Sequence, residues 1–309
     1  MKTVRAYAPA TVANVSCGFD VFGFAVEDPG DEVVLTLTDT PGVRITDIEG
    51  DQGRLPRDVE KNTAGVAVQA FLNARGSGQG VDIVLKKNLP LGSGMGSSAA
   101  SSVAALVGVN HLLGNPLERK DLLPFAMEAE RIACGSAHAD NVAPALLGGF
   151  VLIRGYEPLD VVSIPTPESL HCTLIHPQVE LNTKDSRQVL RMNIPLRDAV
   201  TQWGNIAGLV AGLMKSDLGL ISRSLKDVIV EPVRSMLIPG FEDVKARIAA
   251  GGALGSGISG SGPTLFALSA DEETARRVGE VAREAFAARA LESEVFISRI
   301  NPRGAVILE

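Results

Sequence analysis

The richest chemistry in the 309-residue sequence lies in the run Pro90-Leu91-Gly92-Ser93-Gly94-Met95-Gly96-Ser97-Ser98-Ala99-Ala100. Its glycines permit a tight turn and a close backbone approach to a ligand. The helix expected to start behind it presents N–H groups with no intrahelical partner, which favour an anion. Ser93, Ser97 and Ser98 add hydroxyls, any one of which could also face a metal ion. A polyphosphate suits such a nest. The run is not a P-loop, because no Gly-Lys-Ser/Thr closes it, and it is not the Gly-x-Gly-x-x-Gly of a dinucleotide fold. The plain alternative is a glycine-rich turn joining a strand to a tightly packed helix. A second glycine-rich run, residues 251–264, contains Ser259-Gly260-Ser261-Gly262-Pro263-Thr264. Two such runs in one chain suggest a shared ligand, although glycines at strand ends also mark bulges and bends.

The elements that must position these loops follow from periodicity. Alternation of apolar and polar residues predicts strands at 33–38, 43–48 and 81–85, each bounded by Gly, Pro or Asp. A helix capped at Asn62 runs to near Gly76, and others cover about 98–113 and 121–134. After a strand at 150–154 comes a stretch with Pro158, Pro165 and Pro167, where a boundary divides an N-terminal domain, 1–157, from a C-terminal domain, 158–309. The second half predicts a strand at 172–176 and helices at 196–214, 218–225 and 241–250. A strand, the glycine-rich turn, a strand at 265–268 and a helix at 272–289 follow, then a last strand at 294–300. Strands and helices alternate without the strict repeat of a doubly wound parallel sheet, so the expected class is α+β.

Composition narrows the possibilities. With 45% hydrophobic residues the chain can bury a sizeable core. Its apolar stretches are too short for a bilayer, and no apolar segment follows Lys2 and Arg5 as a signal peptide requires, so a cytoplasmic location is expected. Cys17, Cys134 and Cys172 have no paired spacing and read as reduced thiols. A formal net charge of −7 argues against broad electrostatic binding to nucleic acid, so any phosphate site must be local.

In order and surroundings, these segments resemble the GHMP kinase superfamily. Ala8-Pro-Ala-Thr-Val-Ala-Asn14 with Gly18-Phe19-Asp20 is similar to its first motif, and residues 90–100 to its phosphate-binding second motif. Glu130 followed by Gly135-Ser-Ala-His138-Ala-Asp140-Asn141 is similar to its helix-and-loop segment, and Ser259-Gly-Ser-Gly-Pro263 to its third motif. The departures are Met95 in place of the usual Leu and Val15-Ser16-Cys17 in place of Leu-Gly-Pro. The likeness spans nearly the whole chain and is greatest to the branch whose acceptor is L-homoserine, in threonine biosynthesis. It implies a two-domain α+β fold, with an N-terminal domain like domain 2 of ribosomal protein S5 and a ferredoxin-like C-terminal domain.

The same resemblance assigns roles. ATP would lie on Asn62, Lys87, Pro90, Leu91, Gly92, Ser93, Gly94, Met95, Gly96, Ser97 and Ser98. Asn62 also reads simply as a helix cap. Magnesium would take Ser98 and Glu130, with Glu130 preferred over Glu128, although an exposed, ion-paired helical Glu is the ordinary alternative. Arg187 and Arg234 would fork onto an α-carboxylate, and Asp20 would face the ammonium. Asn14, His138, Asn141, Thr183 and Gly260 would complete the acceptor surface. Asp140 stands where related kinases place a catalytic base, a role left open here because a loose phosphoryl-transfer transition state needs little base assistance. A different alcohol acceptor, or a nucleotide-binding regulator without catalysis, remain the alternatives. A homodimer is also left open.

Overall fold

The computed structural model of the chain describes residues 2–135, 137–181 and 183–308, without the side chains of Ala133, Cys134, Thr183 and Lys184. The first half contains β1 (Thr3–Ala13), β2 (Phe22–Thr38), β3 (Gly42–Glu49), α1 (Thr63–Ala74), β4 (Gly80–Lys86), α2 (Ser97–Leu112), α3 (Leu123–Cys134), α4 (Val142–Leu147), β5 (Phe150–Tyr156) and β6 (Leu159–Ile164). The second has β7 (His171–Pro177), α5 (Thr183–Gln188), α6 (Leu196–Lys215), α7 (Leu218–Ser224), α8 (Glu231–Arg234), α9 (Phe241–Ala250), β8 (Gly255–Ile258), β9 (Leu265–Ser269), α10 (Glu272–Ala287), β10 (Ser293–Arg299) and β11 (Val306–Ile307).

Seven strands form the larger sheet, in the order β11-β1-β2-β4-β3, with β5 and β6 joined through β2. Long β2 serves two partners: residues 22–24 pair with β5, and residues 32–38 with β4. The β3–β4 pair alone in this sheet is parallel, and α1 supplies the crossover that such a pair requires. Helix α2 packs on β1 and β2 and against α1 and α3. Its small residues allow that central position, because a Cβ on Gly108 would stand 2.3 Å from Leu35 Cδ1.

The second sheet, β10-β7-β9-β8, is antiparallel throughout and carries α10 on one face. Counted along the chain its strand order is 4-1-3-2, the ferredoxin-like arrangement expected of this half. The position 157/158, where the sequence places a domain break, lies in the turn between β5 and β6, and β11 returns to the larger sheet beside β1. Prolines 165 and 167 come after that hairpin, so the chain leaves the larger sheet only after Ile164. Among the described residues no helix is long and apolar enough to cross a membrane.

Candidate active site

A cleft of about 390 Å³ lies where both glycine loops, the turn after β1 and the segments around α3–α4 and α5–α8 converge. Its phosphate-like end is built from backbone. Gly92, Gly94 and Gly96 all take left-handed φ values of 66°, 80° and 71°, and Gly96 leads directly into α2 without a side-chain cap. Non-glycine residues pay for that conformation. Space is equally restrictive, since a Cβ on Gly96 would stand 2.0 Å from Thr11 Oγ1 and one on Gly94 2.5 Å from the Ser259 carbonyl oxygen. The loop therefore leaves the first amides of a 16-residue helix at the cleft wall, where an anion is favoured.

The two glycine loops touch. Ser259 Oγ donates to the Gly94 carbonyl at 2.8 Å, and Thr264 N–H donates to the Ser93 carbonyl at 3.1 Å. Asn14 joins them to the acceptor end, its Nδ2 donating to the Gly260 carbonyl at 2.8 Å while its Oδ1 accepts from Asp20 N–H at 3.0 Å. The chain passes through this turn with left-handed φ at Asn14, Val15 and Ser16 in succession and again at Asp20. Such a run of non-glycine residues in the left-handed region is costly and persists only where surrounding contacts over-determine it.

Of the residues expected at the nucleotide, Asn62, Lys87, Leu91 to Gly94 and Gly96 to Ser98 line the cleft. Met95 does not: its side chain is wholly buried in the hydrophobic core, so it packs the loop from behind. Pro90 lines a neighbouring cleft of about 460 Å³ instead. The Asn62 side chain caps α1 at Ala64 N–H, 3.1 Å, and donates to the Pro56 carbonyl, 3.0 Å, so its polar atoms are already engaged. The ammonium of Lys87 is likewise engaged, by the carboxylate of Asp31, the Ser97 carbonyl and Ser101 Oγ. Asp31 has no signature in the sequence. It nonetheless holds the amides of Asn88 and Leu89 on one side of the loop and the hydroxyls of Ser97 and Ser101 on the other.

On α3, Glu128 is the exposed carboxylate, paired with Arg131, whereas Glu130 is 5% exposed and lines the cleft with Ser98. The ordinary reading of a surface helical Glu therefore describes its neighbour.

At the acceptor end stand Asn14, Asp20, His138, Asp140, Asn141, Arg187, Arg234 and Gly260. Arg187 makes a two-pronged bond to Asp20, 2.9 and 3.0 Å, so two groups expected to hold opposite ends of an amino acid neutralise one another here. Arg234 is buried; its Nε donates to the Ser186 carbonyl and its Nη1 to the Gly260 carbonyl, both at 3.0 Å. Burial, and then the charge of Arg187, lower its guanidinium to about 10. Burial, reinforced by the charges of Asp20 and Glu130, pushes the Asp140 carboxyl up to about 7. His138 Nδ1 lies 3.8 Å from Asp20 Oδ2, and burial holds the imidazole below its usual range. Asn141 Oδ1 accepts from Thr11 Oγ1 at 2.7 Å. The expected contact of the Thr183 side chain lies outside the described residues. Sequence reasoning gave no role to Tyr156, whose hydroxyl donates to the Asp20 carbonyl at 2.8 Å and accepts from Ala139 N–H at 3.3 Å, tying the two acceptor segments together.

The comparisons agree with this geometry. Residues 62–149 match the family model for the GHMP kinases N terminal domain, and residues 209–288 that for the GHMP kinases C terminal domain. A homoserine kinase of Chlorobium phaeobacteroides is 55% identical, with all of both chains covered, and one of Xylella fastidiosa is 40% identical, covering 98% of this chain and 94% of the other. The crystal structure of homoserine kinase from Cytophaga hutchinsonii superposes with a TM-score of 0.98 at 57% identity, covering 100% of this chain and 98% of that one. A mevalonate kinase of L. major, at 16% identity and TM-score 0.72 over 96% and 95% of the two chains, shares the fold. A cleft that sets a glycine-rich loop at a helix start beside two guanidiniums and a carboxylate, in a chain so similar to these enzymes over its full length, places it in the homoserine kinase family of the GHMP kinases.

Proposed function

We propose that the chain transfers the γ-phosphoryl group of ATP to the side-chain hydroxyl of L-homoserine, giving ADP and O-phospho-L-homoserine. The observation that carries the choice of acceptor is the charge pattern at the far end of the cleft, where Asp20, Arg187 and Arg234 form a carboxylate and two guanidiniums around one space. A zwitterion complements that pattern. Its carboxylate takes the guanidinium forks, its ammonium replaces Arg187 on Asp20, and its hydroxyl points back toward the phosphate loop.

The amides after Gly96 hold the transferring end of the triphosphate. Glu130 and Ser98 suit a hard divalent cation. Among the described residues there is no group of three His, Cys, Asp or Glu able to hold a metal alone, so an ion at this carboxylate and hydroxyl must be shared with phosphate and water, as magnesium ordinarily is. Bound there, magnesium would neutralise charge on the phosphate oxygens. Asp140 accepts the hydroxyl proton as the oxygen–phosphorus bond forms and the bond to ADP breaks; a carboxyl raised to about 7 suits that exchange near neutral pH.

An ADP-release assay across L-homoserine, mevalonate, shikimate and galactose tests the reading: turnover is expected with homoserine. Arg234→Ala should raise the homoserine KM by roughly ten- to a hundredfold, the worth of a charge-assisted bond, with little change in the ATP KM. Nucleotide-binding protein that leaves homoserine unphosphorylated would overturn it.

A further inference from the structure

Phe19 presents its ring to both guanidiniums. The Arg187 guanidinium carbon lies 5.4 Å from the ring centroid and that of Arg234 lies 5.2 Å from it, both within the range of cation–π attraction. Two like charges thus share one aromatic ring, in a site where the charge of Arg187 helps to lower Arg234. The turn that carries the ring is tied down by its backbone. Gly18 N–H donates to the Asn14 carbonyl at 2.8 Å, Phe22 N–H to the Gly18 carbonyl at 2.9 Å, and Gln202 Nε2 to the Cys17 carbonyl at 3.1 Å. A Cβ on Gly18 would stand 2.3 Å from Phe22 Cβ, so the turn packs too closely there for any side chain.

Asp20 neutralises Arg187 only while no acceptor ammonium takes its place. Arg234 rests on two backbone carbonyls, neither of which carries a full charge. When the acceptor exchanges partners with Asp20, the ring of Phe19 is a contact that both arginines can keep. We propose that Phe19 is a positioning residue for the acceptor carboxylate, its ring holding the guanidiniums of Arg187 and Arg234 side by side so that both close on the same group. This rests on the acceptor-site reading above and deepens it.

The test replaces Phe19 by 4-fluoro-, 3,5-difluoro- and 3,4,5-trifluorophenylalanine in the full-length enzyme. These weaken the negative face of the ring at nearly constant size, and a ring that merely filled space would not register them. The homoserine KM should climb stepwise, by on the order of tenfold at the trifluoro ring, while the ATP KM and kcat stay within about twofold. Phe19→Tyr should keep the low homoserine KM, and Phe19→Leu should match the trifluoro ring. A homoserine KM that stays flat along the fluorine series, or an ATP KM that rises in step with it, overturns the role. Arg234→Ala measured alongside separates the two failures. If it raises the homoserine KM while the series is flat, only Phe19 was misread. If it leaves that KM unchanged, the acceptor site itself was misplaced and the Phe19 role falls with it.

Discussion

Asp31→Asn should be among the most damaging single changes outside the cleft's own lining. The Asp31 and Lys87 side chains are 0% and 2% exposed, so neither charge is solvated and each depends on the other. The substituted amide would keep an oxygen for the N–H groups of Asn88 and Leu89, now at 2.9 and 3.0 Å, but would leave the Lys87 ammonium with only the Ser97 carbonyl and Ser101 hydroxyl. Stranding one member of a buried ion pair costs about 3–5 kcal/mol. At about 2–4 °C per kcal/mol for a chain of this order, the melting temperature should fall by roughly 10 °C. Adding Lys87→Met removes the stranded charge, so the double variant should regain much of the loss. Thermal and urea unfolding of the four proteins, without nucleotide, supplies the cycle. Because Asp31 also draws both ends of the phosphate loop together, the ATP KM of Asp31→Asn should rise as well. A loss below about 1 kcal/mol, or a double variant no better than the sum of the singles, would refute the reasoning.

Gly94→Ala should raise the KM for ATP and for homoserine together, since the new Cβ meets the Ser259 and Gly262 carbonyl oxygens at 2.5 and 2.7 Å and the φ of 80° alone costs about 1–2 kcal/mol; steady-state kinetics with unchanged values for either substrate would count against the shared junction. Asp140 predicts opposite trends in rate and stability with pH. Above about 7 it is ionised and able to take the hydroxyl proton, so kcat should rise through that region and Asp140→Asn should abolish the limb. The unfolded chain releases this proton in the ordinary carboxylate range and the folded chain only near 7, so folding stability falls as pH rises between those values. Asp140→Asn should therefore melt higher than the parent at pH 8 and not at pH 4, which calorimetry on the nucleotide-free protein can check.

Where local periodicity carried the signal, the sequence was sufficient: α6, α9 and α10 begin at the expected residues, and β4 and β9 differ by a residue or so. Strand β1 escaped because Thr3–Ala13 is rich in alanine, contains Pro9 and alternates only up to Ala8; it lies between β2 and β11 with every residue from Pro9 onward buried. Strand β8 was expected ahead of the glycine-rich turn but without bounds, because its own glycines read as turn. They are instead small for close packing, since a Cβ on Gly255 would stand 2.6 Å from Leu225 Cβ and one on Gly257 2.5 Å from Ser16 Oγ. In the site, motif resemblance named residues most of which line the cleft, but their supports left no local trace. Asp31 is one Asp among ordinary strand residues, and Tyr156 is the end of a hairpin strand. Asp31 finds its partners 56 to 70 residues away, and Tyr156 reaches Asp20 across 136.

Those long separations also explain why three short motifs must occur together. Residues 13–14, 93–94 and 259–264 form one hydrogen-bonded knot: Gly260 N–H donates to the Ala13 carbonyl at 3.2 Å, Asn14 donates back to Gly260, Ser259 donates to Gly94, and Thr264 N–H donates to Ser93. The phosphate end hangs from one side of this knot and the acceptor end, through Asn14 and Arg234, from the other. Phosphoryl transfer depends on holding attacking oxygen and phosphorus in line to within a fraction of an ångström, with little covalent help from the protein. A single backbone junction shared by both ends fixes that separation more tightly than two independently anchored sites, which is why one methyl group at Gly94 should disturb both substrates at once.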